Sequence, residues 1–295
     1  MTAFDRGDLL ARCTFPLQGT AVDCAVSGGP DSLALLVLAV DAGCVVTAWH
    51  VDHGLRPGSA AEADGVARAA TQMGAGFESV RANVAPGPNL EARARAARYA
   101  SLPPDALTGH TADDLAETVL LNVLRGAAID GLAAIRPGAR RPLLALRRAE
   151  TAAVCAEAGL VPLQDPSNDD PAIRRNRVRH ELLPLLADIG QRDVVPVLAR
   201  QAALLAGDAA LLDALALDID PCDGRALAAA PQPLARRAIR RWLRETADDE
   251  RHPPDAATVE RVLAVARGDA VAAEVGGGRR VARTNGRLRL EAPSG

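Results

Sequence analysis

Residues 25–36, AVSGGPDSLALL, decide how this chain is read. A hydrophobic strand, AVDCAV at 21–26, breaks into Ser-Gly-Gly-Pro-Asp-Ser and returns at once to the apolar helical run SLALLVLAVDAG. Glycines placed between a strand and a helix let backbone N–H groups face an anion, and the helix start adds the positive end of its dipole. Ser27, Gly28, Gly29, Pro30, Asp31 and Ser32 therefore form a candidate phosphate loop. Asp31 is its awkward member, because a carboxylate repels phosphate unless a metal cation or an amine lies between them.

Working outward, strand-like and helical runs alternate from about residue 20 to 165. CVVTAWHV reads as a strand, SAAEADGVARAATQM as a helix with a capping-box spacing at Ser59 and Glu62, and GFESVRA as another strand. NLEARARAARYA is helical, DALTG is a short strand and TADDLAETVLLNVLRG is a helix. This alternation predicts an α/β fold, a parallel sheet with helices on both faces, whose ligands bind outside the carboxyl ends of the strands. Beyond about residue 190 the pattern becomes helical, apart from a hairpin expected around Asn285-Gly286. We expect a catalytic domain over 1–190 and a smaller, mainly helical domain over 191–295.

Composition narrows the chemistry. With 295 residues and 48% hydrophobic content the chain can fill a substantial core. The run Leu33–Val40 stops at Asp41, short of the ~20 residues a bilayer requires, and no secretory signal is visible, so the chain reads as cytoplasmic with no membrane partner. Five scattered cysteines, none in a CxxC pair, argue against a disulfide scaffold or zinc ribbon. The 34 basic residues are all arginine, which excludes a Walker A or Schiff-base lysine. Net charge is −3, yet arginines cluster at 172–182, AIRRNRVRHEL, and at 234–244, LARRAIRRWLR. Such local basic faces suit phosphates even on an acidic molecule.

Further segments follow predicted strands. HVDHGLRPGS at 50–59 offers Arg56 to a phosphate. In GHTADDLAET at 109–118, His110, Asp113, Asp114 and Glu117 recur at three- and four-residue spacing, making one helix face acidic near its start. That face can meet Mg²⁺ or an amine, although Thr111 and Asp114 also have the spacing of a capping box. At 164–184, an Asp-Pro-Ser-Asn turn precedes a strongly basic helix.

SGGPDS resembles the PP-loop of the N-type ATP pyrophosphatases, which cleave ATP between its α and β phosphates. Taken in order, SGGPDS, HVDHGLR, NLEARARAARY, GHTADDLAET, LRG, RPLL, DPSN and RNRVRHELLP resemble the tRNA(Ile)-lysidine synthetase family over residues 20–185. One departure is Ile173, where an aromatic residue is common in the family.

The resemblance implies ATP-dependent attachment of L-lysine to C2 of the wobble cytidine in a tRNA(Ile) with a CAU anticodon, through an O2-adenylated intermediate. It implies ATP at Ser27–Ser32, Mg²⁺ at Asp31 and Asp113, and catalytic roles for Asp31, Arg56, His110, Asp113 and Arg177. Lysine would meet Asp114 and Glu117. The tRNA would meet Arg175, Arg177, Arg179, Arg236, Arg237, Arg240 and Arg241, and a homodimer is compatible with the family. The rival readings are a PP-loop tRNA thiolase, which generally needs sulfur-carrying cysteines or a cluster, a nucleotide-binding module without catalysis, and a tRNA-binding subunit.

Overall fold

The computed structural model describes residues 5–52, 59–82, 90–133, 135, 138–163, 166–246 and 254–292. The chain packs as two compact units, 1–204 and 205–295.

The first unit opens with a short helix, α1 (Arg6–Leu10), and then builds its sheet from β1 (Ala21–Ala25), β2 (Val45–Asp52), β3 (Gly76–Arg81) and β4 (Leu107–Thr108). The order is β3-β2-β1-β4 and every pairing is parallel. Helices α2 (Pro30–Asp41), α3 (Ser59–Gln72) and α4 (Leu90–Ser101) make the crossovers. The chain runs outward from β1 through β2 to β3, then returns to place β4 on the other side of β1. That reversal opens a crevice at the carboxyl ends of β1 and β4, the place where open α/β sheets bind ligands. The loop at 27–32 leaves β1 there, and the GHTADD segment leaves β4 beside it.

Helix α2 has Leu33 to Ala39 buried without a break, the signature of a helix enclosed on all sides. Its apolar residues pack with Cys24, Val26, Val46 and Ala48 of the sheet and with Val154 and Cys155 of α7 (Arg148–Glu157). Before α7 the chain forms α5 (Ala112–Leu124) and the short α6 (Ile129–Leu132). After it come a 3₁₀ turn (Pro166–Asp169), α8 (Arg174–Arg177), a π turn (Val178–Leu182), α9 (Leu183–Gly190) and α10 (Val195–Ala216). Among the described residues, α10 alone is long and apolar enough to cross a bilayer by length and composition.

The second unit holds α11 (Gly224–Ala229), α12 (Gln232–Glu245), α13 (Ala256–Arg267) and an antiparallel sheet of β5 (Ala272–Gly276), β6 (Arg279–Thr284) and β7 (Arg287–Glu291). Leu227, Ile239, Leu263, Val281 and Leu288 form its core. The expected hairpin joins β6 to β7, with Asn285 and Gly286 at φ 51° and 79°, the left-handed conformation a two-residue type I′ turn needs. The helical pattern begins near residue 190, but the division between the units falls inside α10, between Leu204 and Leu205. The capping-box pair Ser59 and Glu62 begins at a side chain outside the described residues.

Candidate active site

The 27–32 loop is held open by its own side chains. Ser32 Oγ donates to the Gly29 carbonyl at 2.9 Å and accepts from Ser27 N at 3.1 Å, so the hydroxyl braces both ends of the turn. Gly29 is the N-cap of α2 and Pro30 occupies its first turn, where a missing N–H costs nothing. Gly28 sits at φ +87°, and a Cβ there would lie 2.3 Å from Leu163 Cδ1. At the start of α2, Pro30 has no N–H and the Ser32 and Leu33 N–H groups bond the Gly29 carbonyl, so the donors that suit an anion here are those of Gly28, Gly29 and Asp31. His50 belongs to this scaffold: it is buried, and its Nδ1 lies 3.0 Å from the Val26 carbonyl.

Opposite the loop, α5 presents its acidic start to arginines from two other segments. Arg147 forks onto Asp113, with Nε–Oδ2 at 3.0 Å and Nη2–Oδ1 at 3.1 Å, and its remaining nitrogen bonds Asp193. The Arg148 backbone N–H adds a third donor to Asp113 at 2.8 Å. Asp114 uses Oδ2 to cap α5 at Thr111 and Oδ1 to accept from Arg148 (3.1 Å) and Arg175 (3.2 Å). Glu117 is fully buried and receives three guanidiniums, from Arg148 (3.1 Å), Arg175 (2.6 Å) and Arg179 (2.7 Å). Arg148 also approaches Asp31 Oδ2 at 3.5 Å, and Thr151 Oγ1 donates to Asp31 Oδ1. Counting the half-exposed Asp193, five carboxylates thus face four guanidiniums, and each of the buried ions has a partner of opposite sign.

These pairings set the electrostatics. Burial pushes the Asp31 carboxyl above its ordinary value, and the Thr151 bond and Arg148 only partly oppose it. Burial acts the same way on Asp113 and Asp114. There the Arg147 fork and the Arg148 N–H outweigh it for Asp113, as Arg148 and Arg175 do for Asp114, and both fall below the usual carboxylate range. A carboxyl whose pKa is lower folded than unfolded stabilises the fold above its unfolded pKa, about 3.9, and loses that contribution as pH falls through the folded value. Denaturant midpoints should therefore change little from Asp113 and Asp114 above pH ~5 and drop steeply below pH ~4. Asp31 acts with the opposite sign and in a higher window, stabilising as pH falls toward about 3.9 and adding nothing further below it, so a midpoint that failed to drop below pH ~4 would contradict the account of the two lowered groups.

The metal question turns on free lone pairs. Mg²⁺ is generally held by one or two carboxylates together with substrate phosphates. Asp31 fits such a cation, since it belongs to the phosphate loop itself and its Oδ2 has only the long Arg148 contact. Asp113 does not fit, because three N–H donors occupy both of its oxygens. Among the described residues no cluster of three or more His, Cys, Asp or Glu is poised to hold a metal.

The other expected residues are distributed unevenly. His110 lies at the end of β4 with Nδ1 2.9 Å from Thr108 Oγ1. Arg175 and Arg179 point inward to Glu117, whereas Arg177 faces outward and pairs with Glu181. Arg56 and Asp165 lie outside the described residues. On α12 the anticipated basic face is partly internal: Arg237 is buried against Asp213 beside Ala238, Ile239 and Trp242. Arg236 pairs with Glu260, and Arg241 donates to the Ala216 carbonyl at 3.2 Å. Arg240 Nε is buried as well. The run LARRAIRRWLR is amphipathic: Arg237 lies within the buried stripe, Arg236, Arg240 and Arg241 flank it, and Arg244 is exposed.

Thr151 and Asp193 escape the sequence reading, and Arg147 and Arg148, which close the run RPLLALRR at 141–148, carry no assigned role in it. The available signal was the pair of arginines after LLAL at the start of α7. Cations at a helix N-terminus oppose the dipole and call for anions nearby.

Comparison with known proteins identifies the family of the chain. Residues 9–186 match the family model of the PP-loop domain, and residues 224–289 match that of the TilS substrate binding domain. A tRNA(Ile)-lysidine synthase of Nocardia farcinica is 43% identical over 295 residues, covering 93% of each chain. A tRNA(Ile)-lysidine synthase of Mycolicibacterium paratuberculosis is 45% identical over 234 residues, covering 74% of this chain and 73% of its own. Among solved structures, the U34-tRNA thiolase NcsA from Methanococcus maripaludis, with its [4Fe-4S] cluster, aligns at a TM-score of 0.54 and 16% identity. That alignment covers 67% of this chain and 76% of the thiolase, and it bears on fold alone.

Proposed function

This chain belongs to the tRNA(Ile)-lysidine synthase family, and from that premise we propose that it joins L-lysine to C2 of the wobble cytidine in a tRNA(Ile) bearing a CAU anticodon, consuming ATP. The observation that carries the reading is Arg148, which approaches Asp31 in the phosphate loop and bonds Asp114 and Glu117 on α5. One side chain thereby links the candidate nucleotide site to the candidate amine site.

The chemistry needs two displacements. The C2 oxygen of cytosine is a poor leaving group, so it first attacks the α-phosphorus of ATP and expels pyrophosphate. The neutral ε-amine of lysine then attacks C2, AMP departs with the oxygen, and the amine proton passes to a carboxylate or to water. Within Ser27–Ser32, the backbone N–H groups of Gly28, Gly29 and Asp31 cradle the phosphates, while those of Ser27 and Ser32 hold the loop's shape. Mg²⁺, held at Asp31 with the phosphates, would supply charge neutralisation at the phosphoryl oxygens.

Lysine binding at Asp114 and Glu117 requires exchange of ion pairs. An anionic ATP or adenylate draws the guanidiniums of Arg148, Arg175 and Arg179 toward phosphate, and the lysine ammonium takes over the carboxylates they release. Each buried charge keeps a partner throughout, the condition under which such exchange is affordable. His110 and Arg56 remain proposed contacts to the phosphates. Arg177, exposed on its helix, suits tRNA better than the reacting phosphate. On α12, Arg236, Arg240 and Arg241 are the remaining proposed tRNA contacts, with Arg237 serving the interior.

The thiolase rival fares poorly on its sulfur. Burial holds the Cys24 thiol at about 12 and those of Cys13 and Cys155 at about 11, which keeps them protonated and poor sulfur carriers. We place the reaction in the cytoplasm, with a homodimer compatible and no step depending on one. The test is AMP release from ATP, Mg²⁺ and L-lysine with and without an unmodified CAU tRNA(Ile) transcript. Release that depends on the transcript is expected; release at the same rate without it, or none, overturns the proposal.

A further inference from the structure

The helix that delivers Arg175 and Arg179 to Glu117 has a second face. Between it and the end of α5 lies a groove of 380 Å³, floored by Leu121, Leu124, Val178, Leu182 and Leu185. Leu124 and Leu185 are 71% and 52% exposed, so this apolar surface is left uncovered by the unit's own core. Arg174, Arg177 and Glu181 form its rim. Arg174 makes no ion pair or side-chain hydrogen bond among the described residues, and Arg125 stands exposed directly after Leu124. The Arg177–Glu181 pair is a solvent-exposed i,i+4 contact, which is weak and readily exchanged. The rim is therefore net cationic over an apolar floor, the complement of a polyanion that carries apolar rings.

We infer that this groove takes an unstacked base of the tRNA anticodon loop, a base other than the target cytidine, with its phosphate against Arg174 and Arg177. The inference rests on the tRNA reading above and extends it to a second nucleotide. Continuity supports the assignment: Arg175 and Arg179 enter the carboxylate cluster from one side of a helix only ~10 Å across, while Arg174, Arg177, Val178 and Leu182 line the groove on the other. Residues 178–182 form a π turn, a form concentrated at functional sites. Single-stranded loops are read by splaying bases onto planar or apolar side chains, with arginine holding the backbone.

The test measures affinity for the CAU tRNA transcript across a salt series, using the intact protein, the double variant Leu124→Ser/Leu185→Ser, and Arg174→Ala. Both leucines are largely exposed, so the double variant should keep the wild-type thermal midpoint. It should bind tRNA roughly tenfold more weakly, with the salt slope unchanged. Arg174→Ala should reduce the slope of log K against log salt by about 0.7, the effect of one lost phosphate contact on a single strand. If the wild type makes lysidine and the double variant binds tRNA equally well, the groove assignment is wrong and the function stands. Loss of self-association in the double variant with tRNA affinity intact would mark the groove as a contact between copies, and also overturns it. A wild-type protein that fails to bind the transcript defeats the function reading itself.

Discussion

Glu117→Ala is expected to lower the free energy of unfolding by about 3 kcal/mol and to abolish lysidine formation. The carboxylate is fully buried and accepts from Arg148, Arg175 and Arg179, so its removal leaves three guanidiniums converging on a cavity. Breaking one side of a buried ion pair generally costs ~3–5 kcal/mol because the surviving charge loses its compensation. The lower end applies here, since the arginine side chains are 25%, 29% and 23% exposed and can turn toward water. Urea unfolding with AMP release on the same samples checks both halves. A loss under about 0.5 kcal/mol would show that the cluster does not depend on this residue.

Gly109→Ala should leave the protein folded while reducing kcat/KM for ATP roughly 100-fold. A Cβ at Gly109 would stand 2.5 Å from the Asp31 carbonyl oxygen, 2.8 Å from its carbon and 3.1 Å from Ser32 N. All three atoms are backbone of the phosphate loop, so no side chain can swing aside and the loop itself must shift. A displacement of ~1 Å at a site that aligns reacting groups can cost about two orders of magnitude, against ~1–3 kcal/mol for overpacking. Gly28 is the instructive contrast: its close neighbour is the Leu163 side chain, which can yield, although φ +87° adds strain for alanine. Steady-state AMP release over an ATP titration decides the matter, and unchanged kcat and KM would mean that β4 does not buttress the loop.

What was legible in the sequence followed from local rules. Strand-to-helix alternation gave the parallel sheet, and the glycine-proline break after β1 gave the loop, because both depend on neighbours in the chain. The spacing of Asp113, Asp114 and Glu117 gave an acidic helix face for the same reason. The arginines that occupy that face were illegible: Arg148 reaches Glu117 across 31 positions and Asp114 across 34. Only the folded chain brings α7 and α8 onto α5. Charge clustering misled at Arg237, where one turn of α12 rotates a guanidinium inward to neutralise Asp213. Strand β5 escaped notice because AAEVG has little of the β-branched or aromatic character that marks a strand.

The central claim, that this chain makes lysidine, is tested most directly by incubating it with unmodified CAU tRNA(Ile), ATP, Mg²⁺ and isotopically labelled lysine, followed by digestion and nucleoside mass spectrometry. The account predicts labelled lysine attached to the wobble cytidine, dependent on ATP. AMP formation with an unaltered wobble cytidine, from protein shown to be folded and binding tRNA, would contradict it.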